Sequence, residues 1–171
     1  MGLDLHGADG MDDLDLDGVT ERLRLIRMVS QQRRYMGRKT PALPSRTEVI
    51  GLAERVIAAL YPRHFGPPGL EADTTDAFVR ATLAEVQDRL TRQAALELRL
   101  VEGDETQALG LARAFVSRLV TLRDLHDTDI AAAFSGDPSA KSLDEVVFCF
   151  PGVAAILRHR IAHELYRLGV P

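Results

Sequence analysis

Apolar residues recur along this chain at helical spacings, and no stretch alternates as a strand does. In "TPALPSRTEVIGLAERVIAALYP", Ser45 and Glu48 form an S-x-x-E capping box. Val49, Leu52, Ala53, Val56, Ile57 and Leu60 then fall on one helical face, which ends before Pro62. "RHFGPPGLEAD" reads as a loop by composition. Asp73 is the expected cap of a long helix carrying Phe78, Val79, Leu83, Val86, Leu90, Ala94, Leu98 and Val101 along one side, with Gly103 as its stop. Asp104 and Gln107 open another, running to about Ala133 with Leu109, Ala112, Phe115, Val116, Leu119, Val120 and Ile130 as apolar positions. Two long helices with so short a joint predict an antiparallel hairpin. Gly136, Asp137 and Pro138 then break the helix. Ser142 and Glu145 form a second capping box for a short helix through "VVF". Pro151 suits a first helical position, and Val153, Leu157, Ile161, Leu165 and Leu168 mark a last helix. The fold class is all-α: a helical bundle built around a long hairpin.

Composition agrees. The chain has 171 residues, 46% of them apolar but only 5% aromatic and none Trp, so the core is expected to be aliphatic. A net charge of −4 gives no general drive toward nucleic acid or an anionic membrane. No apolar run approaches the roughly 20 residues of a membrane span, and "MGLDLHGADG" lacks the basic and apolar regions of a secretory signal. With a single cysteine, Cys149, an internal disulfide is excluded and a reducing, cytoplasmic setting is expected.

Charge divides the N-terminal region. Residues 1–18 carry Asp4, Asp9, Asp12, Asp13, Asp15 and Asp17 with no Lys or Arg, and read as a disordered acidic tail. Residues 19–40 form a basic helical arm with Arg22, Arg24, Arg27, Arg33, Arg34, Arg38 and Lys39. An anion-binding arm is one reading; without interleaved aromatic residues for base stacking, a solvated helix face is the better one. Residues 41–171 make the helical bundle domain.

Candidate chemistry is sparse. His159 and His163 share a helix face as half a metal site would, but H-R-I-A-H lacks the glutamate of the zinc-protease pattern and no third ligand is evident, so no metal is expected. Asp124, His126, Asp127 and Asp129 could form an acid–base cluster, yet read better as a polar helix face. Cys149, between Phe148 and Phe150, reads as an inert core residue. Asp137 precedes Pro138, which pushes its backbone out of the α region and fixes the direction of its side chain. It could bind a ligand ammonium or hydroxyl, or serve as a turn aspartate bonded to its own backbone.

The stretch "TDIAAAFSGDPSAKSLDEVVFCFPGVAAILRHRIAHELYRLGVP" resembles the serine O-acetyltransferase family. The residues that carry the likeness are Asp137-Pro138-Ser139-Ala140, Pro151-Gly152 and Arg160-Ile161-Ala162-His163-Glu164-Leu165, with Ser139 in place of the commoner alanine. Upstream, "LPSRTEVIGLAERVIAALYPRHFG" extends it to roughly residues 40–171. The resemblance implies an N-terminal helical domain that assembles subunits. It also implies a separate β-helix of hexapeptide repeats carrying the catalytic histidine, its aspartate partner and the acetyl-CoA site. In that family the histidine deprotonates serine, whose oxygen attacks the thioester. Asp137 takes the place of an aspartate that reaches the serine site. No hexapeptide pattern occurs here, so the chain is expected to be the N-terminal part of such an enzyme, inactive alone. It has no resident cofactor, acetyl-CoA being the family's cosubstrate, and its expected partners are further copies of itself, not nucleic acid or membrane. The alternative is a non-catalytic helical oligomerisation or regulatory module.

Overall fold

The computed structural model describes residues 15–170, all helix, turn or irregular chain. In order the elements are α1 (Leu16–Tyr35), α2 (Arg46–Leu60), α3 (Pro62–Phe65), α4 (Ala72–Leu100), a 3-10 turn (Glu105–Gln107), α5 (Ala108–Gly136), α6 (Leu143–Cys149) and α7 (Pro151–Arg167). No strand occurs among the described residues, and no helix among them is long and apolar enough to cross a membrane.

The chain divides into two units, one reaching to Pro41 and one starting at Ala42. In the first, Asp15 caps α1 by accepting from the Gly18 N–H at 2.8 Å. Asp15, Asp17 and Gly18 therefore belong to a helix start, a correction to the acidic tail expected over 1–18; residues 1–14 lie outside the described part. None of the α1 residues is buried.

In the second unit α4 and α5 form the expected hairpin. Helix α2 packs on α4, α7 on α5, and α6 on both α5 and α7. Leu52, Val56 and Ile57 of α2 meet Val86 and Leu90 of α4, Phe115, Leu119 and Leu122 of α5, Val146 and Val147 of α6, and Val153, Leu157 and Ile161 of α7 in one core. Each large aliphatic side chain buried there contributes roughly 1.5–3 kcal/mol. Ala94, Leu98 and Ala108 make a smaller cluster near the hairpin joint, where the two alanines leave room for the long helices to approach.

Polar contacts fix the α2–α4 pairing. Ser45 Oγ accepts from the Glu48 N–H at 3.3 Å, but the return half of the expected capping box is supplied by α4: the Ser45 N–H donates to Gln93 Oε1 at 2.8 Å. Glu48 instead starts a chain of ion pairs, Glu48–Arg89–Glu85–Arg55, that crosses from α2 to α4, runs one turn along α4 and returns to α2. At the start of α6 the pattern repeats. Ser142 caps the Glu145 N–H at 3.1 Å, while Glu145 Oε2 accepts from Lys141 rather than Ser142.

Several expectations need correcting. The loop over "RHFGPPGLEAD" contains α3, because Pro62 has the φ of a first helical residue and its missing N–H costs nothing there. Glu71, not Asp73, caps α4, in a reciprocal arrangement with Thr74. At the hairpin joint the left-handed residue is Glu102 (φ 55°), and the Gly103 N–H closes on the Leu98 carbonyl at 2.8 Å. Val49, Val101, Leu109 and Val120 are exposed, although each lies at an apolar position of its helix. Cys149 is exposed as well, since α6 turns Val146 and Val147 inward and leaves Phe148 and Cys149 on the surface.

Candidate functional site

Helix α5 ends at Gly136, and Asp137 leaves it on an extended backbone (φ −116°, ψ 103°), as Pro138 requires. The carbonyl of Asp137 accepts from the Ala140 N–H at 3.1 Å, closing a turn. Its Oδ1 accepts from the Ser139 N–H at 2.9 Å and the Ser139 hydroxyl at 2.7 Å. These two bonds favour the anion, the hydroxyl bond more than the backbone one, and hold the carboxyl below its ordinary range. Oδ2 makes no hydrogen bond among the described residues, so half of a fixed, ionised carboxylate remains available as an acceptor. Ser139 thus adds a second restraint to the carboxylate.

Sequence reasoning missed a polar network further up α5. His126 is buried, with Nδ1 2.6 Å from the Tyr61 hydroxyl and Nε2 3.1 Å from the Val153 carbonyl, which only accepts. The Tyr61 hydroxyl also lies 3.0 Å from Asp127 Oδ1. Arg123 covers the Tyr61 ring at 3.8 Å, pairs with Asp127, and donates to the Leu60 carbonyl. Burial pushes the Tyr61 hydroxyl pKa well up, and the Arg123 charge opposes this only in part. The signal was present: Leu119, Leu122, His126 and Ile130 are spaced as one buried stripe, so His126 belongs with the core.

The other candidates do not converge. Asp124 is exposed, Asp127 serves Arg123 and Tyr61, and Asp129 takes a two-pronged contact from Arg160 at 2.7 and 2.8 Å. His126 faces the interior, so this stretch is neither an acid–base cluster nor simply a polar face. His159 and His163 stack, with ring centroids 5.9 Å apart, and are exposed. Among the described residues no three His, Cys, Asp or Glu side chains are grouped to hold a metal.

The architecture is that of an all-helical domain with an Asp-Pro bend between its long hairpin and its last two helices. The same architecture occurs in serine acetyltransferase 1 of Entamoeba histolytica, with a TM-score of 0.57 and 22% identity over 89% of this chain and 53% of that one. Isoform 3 from the same organism, solved in complex with cysteine, aligns with a TM-score of 0.57 and 24% identity over 88% of this chain and 50% of that one. In sequence, a plasmid serine acetyltransferase of Synechococcus elongatus is 38% identical over 140 residues, 75% of this chain and 44% of the relative. Serine acetyltransferases of Synechocystis (49% over 43 residues; 25% of this chain and 17% of theirs) and Mycobacterium tuberculosis (51% over 41 residues; 24% and 18%) share a shorter stretch. No protein-family model matches the chain. The chain is thus similar to the N-terminal part of serine acetyltransferases. It spans less than half the length of the longest-aligned curated relative, and no β-helix is found among its described residues.

Proposed function

We propose that this chain is the N-terminal helical part of a cytoplasmic serine O-acetyltransferase, which transfers the acetyl group of acetyl-CoA to L-serine for cysteine biosynthesis. The supporting observation is the 38% identity to a serine acetyltransferase over 140 residues. In that reaction the serine oxygen attacks the thioester carbonyl, its proton passes to a base, and the C–S bond breaks to release the thiol. Asp137 binds the substrate: its free Oδ2 accepts from the serine ammonium, and the Ser139 contacts keep the carboxylate charged and oriented. The reading places the base for the serine proton outside the described helices: His159 and His163 stack on each other at the surface of α7. His126, the buried histidine, has both ring nitrogens engaged inside the bundle, so the chain alone is expected to be inactive. The chain also self-associates: Leu23, Ile26, Met28 and Val29 of α1, outside the bundle, are about half exposed or more, apolar surface that a second copy would cover.

The test joins this chain to the β-helix portion of the Synechococcus relative and follows acetyl transfer. The chimera is expected to turn over serine, and Asp137→Ala to raise the KM for serine tenfold or more while leaving that for acetyl-CoA within about twofold, as loss of one charge-assisted contact to serine predicts. A folded but inert chimera, or an Asp137→Ala chimera with unchanged kinetics, refutes the reading. Turnover by the 171-residue chain alone, above a heat-killed control, refutes its predicted inactivity.

A further inference from the structure

Between α5 and α7, on a face separate from the Asp137 bend, lies a cleft of about 250 Å³ lined by Arg118, Thr121, Arg160, His163, Glu164 and Arg167, with Leu122 and Leu125 as its apolar wall. Three guanidinium groups face it on a chain whose net charge is −4. Two of them, Arg118 and Arg167, are poorly served by their protein partner. Arg118 Nη1 is 3.4 Å from Glu164 Oε1 and Arg167 Nη1 is 3.8 Å from Glu164 Oε2, so a single carboxylate stands between two arginines and hydrogen-bonds well to neither. Arg160 is held by Asp129 through Nε and Nη2, which positions the guanidinium and leaves Nη1 without a partner among the described residues. The Thr121 hydroxyl and the His163 ring make no hydrogen bond among the described residues either. The site therefore presents more oriented donors than acceptors, and what it lacks is oxyanion.

We propose that this cleft binds a small diphosphate-bearing anion. Guanidinium forks suit phosphoryl oxygens, and three of them approach from two helices. Arg160 and Arg167 are seven residues apart on α7, roughly 10 Å along its axis, a span that two linked phosphoryl groups bridge better than one. Glu164 is the internal competitor, holding Arg118 and Arg167 near the cleft until the ligand replaces it. This proposal is independent of the acetyltransferase reading, because it uses only these two helices.

The test titrates inorganic diphosphate into the 171-residue chain, with calorimetry for affinity and amide NMR shifts for location. Saturable binding is expected, with shifts at Arg118, Thr121, His163 and Arg167. Arg118→Gln and, separately, the more exposed Arg167→Gln should each weaken it roughly tenfold, as loss of one charge-assisted contact predicts. Glu164→Gln should tighten it several-fold, a gain that mere structural damage would not produce. Arg92→Gln, which removes an exposed arginine of α4, should leave it unchanged. The proposal is overturned by shifts confined to the basic α1 segment, by equal weakening in Arg92→Gln, by weaker binding in Glu164→Gln, or by no saturation at millimolar diphosphate. Equal affinity for citrate would overturn the diphosphate assignment in favour of a general carboxylate site.

Discussion

The Tyr61 hydroxyl lies 2.6 Å from Nδ1 of His126, tying the residue between α2 and α3 to the buried middle of α5. Because the Val153 carbonyl can only accept, His126 Nε2 donates to α7, and in the neutral ring Nδ1 accepts a hydrogen bond from the Tyr61 hydroxyl. One imidazole thus bridges three segments of the bundle. Asp127 competes for the same hydroxyl proton but is already served by Arg123.

Tyr61→Phe should therefore destabilise the bundle by about 1–3 kcal/mol, the cost of leaving a buried polar group unpaired. The pH dependence is more diagnostic. Burial raises the folded-state pKa of Tyr61 above its ordinary value near 10, so the native state holds this proton more tightly than the unfolded chain. The contribution is complete below about pH 10 and is lost as pH rises through the raised folded value. Urea unfolding from about pH 8 to 11 should show wild type losing stability at the alkaline end more steeply than Tyr61→Phe. Parallel profiles would mean that the hydroxyl ionises as freely in the folded bundle as in the unfolded chain.

Asp129 gives the opposite sign. The Arg160 hydrogen bonds lower its folded pKa below 3.8, against the opposing effect of burial. Its contribution is present above that value and disappears as pH falls through the depressed one. Arg160→Gln should cost about 1 kcal/mol at neutral pH, since the pair is only partly shielded from water, and progressively less as pH falls below 3.8. Denaturation midpoints of both proteins across that range check it. A cost that persists undiminished in acid would assign the role of Arg160 to packing.

The helices and their order were legible because aliphatic spacing, capping serines and Pro/Gly breaks agree with one another. What escaped depends on contacts between distant segments. Nothing near Ser45 says that Gln93 will complete its cap, and nothing near Glu48 points to Arg89. Val120 and Val49 fit an apolar face by spacing, yet the neighbouring helices do not cover those positions. Cys149 misled for the same reason: its phenylalanine neighbours are close in sequence, but α6 is too short to bury both sides. The Asp137 bend was readable because Pro138 dictates it locally. The bond from the Ser139 hydroxyl, which depends on a side-chain rotamer, was not.

Thr82 on α4 is fully buried and its hydroxyl has no hydrogen-bond partner. Thr82→Val keeps the shape and removes the unpaired group, so it should stabilise the bundle by about 1 kcal/mol. Chemical denaturation with an unchanged m-value would confirm the gain. A loss would reveal an internal water bound to this hydroxyl.

Gly110 sits in the first turn of α5, exposed, and a Cβ there would meet nothing within 4 Å. Gly110→Ala should add about 0.5–1 kcal/mol by restricting the unfolded chain and favouring helix, raising Tm by about 1–4 °C. Gly51 is the contrasting site, since its Cβ would come within 3.2 Å of the Arg89 guanidinium. Gly51→Ala should gain less, because Arg89 must shift within its ion pairs with Glu48 and Glu85. Equal gains at both positions would show that the Arg89 bridge yields freely.

Ser139→Ala tests how the Asp137 carboxylate is held. The hydroxyl bond is the larger cause of its lowered pKa, and the backbone bond from Ser139 survives the substitution. The Asp137 pKa, followed by carboxyl carbon NMR, should rise in the variant yet stay below the ordinary aspartate range. Since Asp137 remains ionised at neutral pH in both proteins, any change in serine KM in the β-helix chimera would reflect orientation rather than charge. A KM that rises only a few-fold, with kcat unchanged and a much larger rise in Asp137→Ala, would identify Ser139 as the residue that positions the carboxylate. If Ser139→Ala leaves the pKa of Asp137 unmoved, the hydroxyl bond is not formed in solution and the backbone turn alone fixes the side chain.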